Sequence, residues 1–156
     1  MTRNTLSKSA IEKIREKIGL NFDARNYFFT KADERWLLTF WESGLLDEIK
    51  KKSLDPTRYS YRMPELDYLA RVAEKVPKDV VDVMLQIPIS PETFNPEVAD
   101  RFLWIASKLP ADQLARVVSK IRDEKWTQLM AAFNHWAFEY EKIFNTLASD
   151  KIRILA

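Results

Sequence analysis

Glycine is almost missing from this chain. Gly19 and Gly44 are the two glycines in 156 residues, where average usage would give roughly eleven. Glycine supplies the positive-φ positions that tight hairpins and phosphate-cradling loops need. A chain this poor in glycine is restricted to folds with few such turns. Its seven prolines fall mostly where helices would begin. Proline suits a first helical position, where its missing N–H has no intrahelical partner. The two facts together predict an all-α domain.

The apolar periodicity places the helices. Leu6, Ala10, Ile11, Ile14 and Ile18 recur at helical spacing, and Gly19 follows as a stop. Residues 21–32, rich in aromatics, read as an irregular connector in which Phe28 and Phe29 plug the core edge. Asp33 reads as an N-cap, followed by an apolar face of Trp36, Leu37, Phe40 and Trp41, with Gly44 ending the helix. Leu45, Leu46 and Ile49 suggest a further short helix, and residues 50–63 a loop. Pro64, Pro77, Pro96 and Pro110 each open a helix, with Asn95 capping the third of these. The run Val80–Leu85 is rich in β-branched residues, but helical patterns flank it and no hairpin turn adjoins it, so it is read as helix. The last helix, 126–148, is the longest. The expectation is about 7–8 helices in one domain over 1–156: an N-terminal helix and connector (1–32), helical hairpins (33–125) and the long C-terminal helix.

Residues 69–87 align with 102–120 at a shift of 33. Val72, Ala73, Lys75, Val76, Pro77 and Asp79 correspond to Ile105, Ala106, Lys108, Leu109, Pro110 and Asp112. In each copy an apolar helix ends, proline starts a second, and an aspartate stands in its positive first turn. Asp67 and Asp100 correspond as well, and Trp36–Gly44 is a weaker, proline-free copy one period upstream. Stacked antiparallel helical hairpins follow, with a compact non-repeating bundle as the alternative. Over about residues 34–125 the pattern resembles HEAT or armadillo-like repeats. That resemblance implies a HEAT-like right-handed α-solenoid and carries no functional residues with it. The spacings of tetratricopeptide repeats and the turn of ankyrin repeats are absent.

Functional readings are narrowed mainly by what is missing. No Gly-rich phosphate loop, dinucleotide fingerprint or nucleophile elbow is present. With no cysteine there is no disulfide, thiolate nucleophile or cysteine-held metal. The single histidine, His135, has Glu139 four residues on, but no nucleophile or metal ligand is marked beside them. Carboxylate pairs such as Asp79/Asp82 and Asp123/Glu124 read as solvated helix residues. No enzyme, cofactor or metal is expected. The net charge of +2 is too balanced to imply a polyanion partner. No apolar run reaches the roughly twenty residues of a membrane span, and the N-terminus does not read as a signal peptide. A cytoplasmic protein without a membrane partner is expected.

Two segments remain as candidate surfaces. The last helix carries Trp126, Phe133, Trp136, Tyr140 and Phe144, with apolar residues over more of its circumference than one buried side requires. This face is expected to dock a protein partner, a second copy or the remainder of a longer chain. The concave face of the second helices, Val80–Ile87 and Leu114–Ile121, is a second place for a partner. The other segment interleaves Lys50, Lys51, Lys52, Arg58 and Arg62 with Tyr59 and Tyr61, a mixture suited to phosphates and base stacking. Asp47, Glu48, Asp55 and Glu65 dilute its field. The resulting expectation is a non-catalytic interaction or scaffold module. A nucleic-acid-binding module using 50–62 is the alternative.

Overall fold

Ser7 begins the first helix by accepting a hydrogen bond from the Ala10 backbone N–H at 3.1 Å, and Gly19, at φ 44°, ends it. This sequence-encoded start and stop recur along the chain. A computed structural model describes residues 5–51, 62–88, 96–121, 142–143 and 145–149. Among them are α1 (Lys8–Ile18), α2 (Phe22–Lys31), α3 (Leu37–Glu42), α4 (Pro64–Val72), α5 (Pro77–Gln86), α6 (Pro96–Ala106) and α7 (Ala111–Ile121). Short 3-10 turns at Glu34–Trp36 and Asp47–Lys50 flank α3. Residues 142–143 and 145–149 are also helical, and no strand occurs among the described residues. The domain is all-helical.

Residues 21–32 correct the sequence reading. They are not an irregular connector but α2. Its N-cap Asn21 accepts from the Ala24 N–H at 3.0 Å. The helix escaped notice because its inward side carries Arg25 beside Phe29, so no clean apolar stripe marks it. Phe29 is not at the core's edge but fully inside. The short helix expected around Leu45–Ile49 is a 3-10 turn, yet those three side chains are buried as expected. Gly44 precedes it at φ 80°, and a Cβ there would lie 2.8 Å from Asp47 Oδ2. That position needs glycine.

Pro64, Pro77 and Pro96 each occupy the first position of a helix. Pro110 stands one residue before α7, and its carbonyl accepts from the N–H groups of Gln113 and Leu114. Neither position asks proline for an intrahelical N–H. Asn95 and the long C-terminal helix of 126–148 fall outside the described residues, apart from 142–143 and 145–149.

The helices pack in two series. α2 packs on α4 and α4 on α6; α3 packs on α5 and α5 on α7. α1 lies against α2. One continuous core joins the series, running from Ile11 and Ile18 through Phe40, Leu69, Val81 and Leu103 to Ile143. The 33-residue shift therefore has a spatial meaning. It carries α4 onto its neighbour α6, and α5 onto its neighbour α7.

Candidate functional site

Basic side chains cap the ends of helices in neighbouring units. The last carbonyls of a helix lack intrahelical donors and carry partial negative charge. Arg71, on α4, reaches back to the Phe29 carbonyl at 3.0 Å and to that of Ala32, at the end of α2. Lys120, on α7, donates to the carbonyls of Met84 (2.9 Å), Leu85 (3.1 Å) and Ile87 at the end of α5. Arg15, on α1, donates to the Ser43 carbonyl at 2.7 Å, at the end of α3. Further side-chain pairs join neighbouring helices: Trp41 Nε1 donates to Gln86 at 2.9 Å, Arg116 pairs with Asp82 at 2.6 Å, and Arg101 pairs with Asp67 at 3.2 Å.

Two charged groups stand out, Lys120 half-buried and Glu65 fully buried. Burial pulls the Lys120 ammonium down to about 8, against the favourable pull of its three carbonyls. Lys120→Met would leave those carbonyls without their shared donor. A loss of about 1–3 kcal/mol is expected, read as a lower urea midpoint at neutral pH; a midpoint equal to wild type would show that the clamp is idle. The second is Glu65, 1% exposed. Arg25 Nε and Nη2 both donate to its Oε1, at 2.9 and 2.6 Å, while Oε2 has no partner. Burial raises its pKa and the Arg25 hydrogen bonds oppose that rise. Lys120 and Glu65 belong to different seams, so they do not form an acid–base pair. Asp33 is held down to about 2 by its bonds with Arg35, and burial raises the Tyr68 hydroxyl, which donates to the Asp33 carbonyl at 2.8 Å. Among the described residues no group of three potential metal ligands converges.

The polyanion segment is placed only in part. Lys50 pairs with Asp47 at 2.6 Å and lies 4.2 Å over the Trp41 ring. Lys51 pairs with Glu48, and Arg62 with Asp67 at 2.7 Å. Each of these three cations thus faces a carboxylate, and Arg62 shares Asp67 with Arg101. Lys52, Arg58, Tyr59 and Tyr61 lie outside the described residues, as do Trp126, Phe133, His135, Trp136, Glu139, Tyr140 and Phe144. Near that last group, Ile143 is buried in the common core and Leu147 packs partly against it.

α5 and α7 turn their apolar residues inward. Val80, Val81, Val83, Met84, Leu114 and Val117 are core residues. The outward sides carry Lys78, Asp82, Gln86, Ala115, Arg116 and Ser119, with Leu85 39% exposed. The apolar residues in these two helices therefore hold the stack together, and the surface left over is polar. Elsewhere Leu20 (89%) and Phe22 (44%) are exposed at the start of α2, and Tyr27 (70%) midway along it. On α6, Trp104 is half-buried between Lys108 (4.0 Å) and Arg101 (5.2 Å).

The seam contacts were not read from the sequence. Arg71 and Lys120 look like ordinary solvated helix cations there, and Glu65 like an ordinary first-turn acid. A basic residue near a helix end would signal a cap to its own helix, whereas these cap a neighbour. No described helix is long and apolar enough to cross a membrane. Comparison with protein-family models, curated proteins and solved structures gave no match.

Proposed function

We propose that the chain is a non-catalytic helical-repeat module that acts by holding a protein partner, with its hairpins stacked as in HEAT-like α-solenoids. One observation carries this reading. Helices related by the 33-residue shift are spatial neighbours, in two series, with cations capping the helices of neighbouring units. Such a plan builds an extended surface from repeated units. Glycine-dependent catalytic turns have no place in it, since Gly19 and Gly44 are both spent at helix ends. The charge-balanced seams favour a protein partner over a polyanion, because the described cations of the basic segment are matched by Asp47, Glu48 and Asp67.

Size-exclusion chromatography with light scattering, run across protein concentrations and paired with an apolar dye, tests the reading. Self-association, or dye uptake by the folded protein, supports an available docking surface. A monomer at every concentration that takes up no dye counts against it.

A further inference from the structure

The turn between α1 and α2 presents a surface that the packing of the stack does not use. Gly19, at φ 44°, ends α1, and its N–H donates to the Arg15 carbonyl at 2.9 Å. The Asn21 N–H donates to the Ile18 carbonyl at 3.2 Å, and the Asn21 side chain caps α2. Leu20 stands between these two anchored residues and is 89% exposed, and Phe22 follows at 44%. The turn is therefore a formed structure that holds two apolar side chains out into water, with its ordering already met by the fold. One of the chain's two glycines serves to make it. α1 lies against α2, and α2 against α4, so this unit stands at one end of the stack.

Positive charge gathers on the same unit. Residues 1–31 hold seven basic and three acidic residues, a balance of +4 in a chain of +2, which leaves −2 for the remainder. Arg15 pairs with Glu12, and Arg25 with Glu65. Lys13, Lys17 and Lys31 are exposed and have no carboxylate partner among the described residues. Glu16 and Asp23, also exposed, offset part of their charge. The spacing sets these lysines beside the apolar residues. Lys13 and Lys17 lie one turn apart on α1, and Leu20 follows three residues after Lys17. On α2, Lys31 lies one turn from the exposed Tyr27.

This shape suits a protein partner poorly. Leu20 and Phe22 project from a turn, whereas a specific protein interface of ordinary size needs roughly 800 Å² of fitted surface on each side. A bilayer surface needs no fitted pocket. It takes up protruding apolar side chains, accepts a tyrosine ring at headgroup depth and draws lysines to its anionic lipids.

We propose that the α1–α2 turn docks on an anionic lipid surface, with Leu20 and Phe22 entering the boundary between headgroups and acyl chains and Lys13, Lys17 and Lys31 facing the headgroups. The contact is peripheral, since no described helix is long and apolar enough to cross a membrane. The expectation of no membrane partner rested on the absence of a span, and a surface contact needs none. The rest of the stack stays free to hold a protein, so the lipid contact stands or falls separately from the partner reading.

In the test, the full-length protein is mixed at low salt with two kinds of vesicle, and the bound fraction is read by co-sedimentation. One kind is phosphatidylcholine alone; the other is phosphatidylcholine and phosphatidylserine in equal parts. Wild type is expected to bind the mixed vesicles but not the neutral ones, and to be released as salt rises. L20S/F22S should weaken binding on the order of tenfold, and K13E/K17E should abolish it. All four positions are exposed, so both variants should melt close to wild type. If Phe22→Ser disturbs α2, L20S alone carries the test, with a smaller loss in the same direction. Absence of binding to the mixed vesicles at low salt overturns the proposal. So does binding that L20S leaves at wild-type strength, because the protein would then adsorb by charge alone. Soluble polyglutamate bound as tightly as the mixed vesicles, with no effect of L20S/F22S, would make the lysines a site for acidic proteins and overturn the lipid surface.

Discussion

Phe40→Ala is expected to lower the stability of the fold by about 3–5 kcal/mol, a drop in melting temperature on the order of 10 °C for a chain of this size. Phe40 has no exposed surface. Its ring centroid lies 5.5 Å from Phe28, 6.2 Å from Phe29, 6.1 Å from Trp36 and 5.7 Å from Tyr68. These neighbours come from α2, from the turn before α3 and from α4, so one side chain joins three elements. Truncation removes the transfer energy of a buried ring and leaves a cavity whose walls stand on separate helices. Neighbours fixed on different helices cannot all move in to fill it. Phe40→Leu retains most of the volume and is expected to cost less than half as much. Urea melts of the two variants check this. A Phe40→Ala cost below about 1 kcal/mol would show that the aromatic cluster does not hold these units together.

This cluster also shows which parts of the fold the sequence exposes. Helices with a strong apolar stripe and a marked start were legible: α1 by Leu6 to Ile18 and Gly19, α4 to α7 by proline and the 33-residue shift. The neighbour relations α4–α6 and α5–α7 follow the same shift. α2 was not legible, since Arg25 interrupts its buried side and its cap is a single asparagine. Its hydrophobic partners, Phe40 and Tyr68, lie far along the chain, and local periodicity carries no trace of them. The seam contacts were hidden for a related reason. A lysine that caps a foreign helix and one that points into water have the same local sequence. Arg15, Arg71 and Lys120 differ from solvated cations only through distant partners, Ser43, Ala32 and Ile87. Among the candidate surface residues, the described outward sides of α5 and α7 are polar apart from Leu85 and Ala115. Burial of Val80, Val83 and Leu114 could not be told from exposure by composition alone, because a helix of a packed series and an isolated amphipathic helix share the same stripe.

Arg25→Ala is expected to destabilise the protein by about 3–5 kcal/mol at neutral pH, the usual effect of stranding a buried charge. The reason is Glu65. Arg25 supplies both of its hydrogen bonds from another side chain, and the carboxylate is otherwise buried. Burial already raises its pKa even with Arg25 present. Removing Arg25 takes away the chief opposing influence and raises it further. A carboxyl group whose pKa is raised by folding adds stability that is fully present below its unfolded pKa and is lost as pH rises through the folded one. The variant should therefore be weakest at neutral pH and recover toward mild acid, where Glu65 is neutral in both states. Wild type should show the same slope in shallower form. Glu65→Gln removes the titration and keeps an oxygen for Arg25 to bond, but leaves the guanidinium without a carboxylate, so it should cost less than Arg25→Ala at neutral pH and the local slope should vanish. Adding Glu65→Gln to Arg25→Ala should return most of the loss, since no charge is then stranded. Urea melts across the range from mild acid to neutral separate these cases. An Arg25→Ala loss that is the same at every pH, and that Glu65→Gln does not relieve, would mean that the arginine acts through the packing of its methylene stem rather than through its charge.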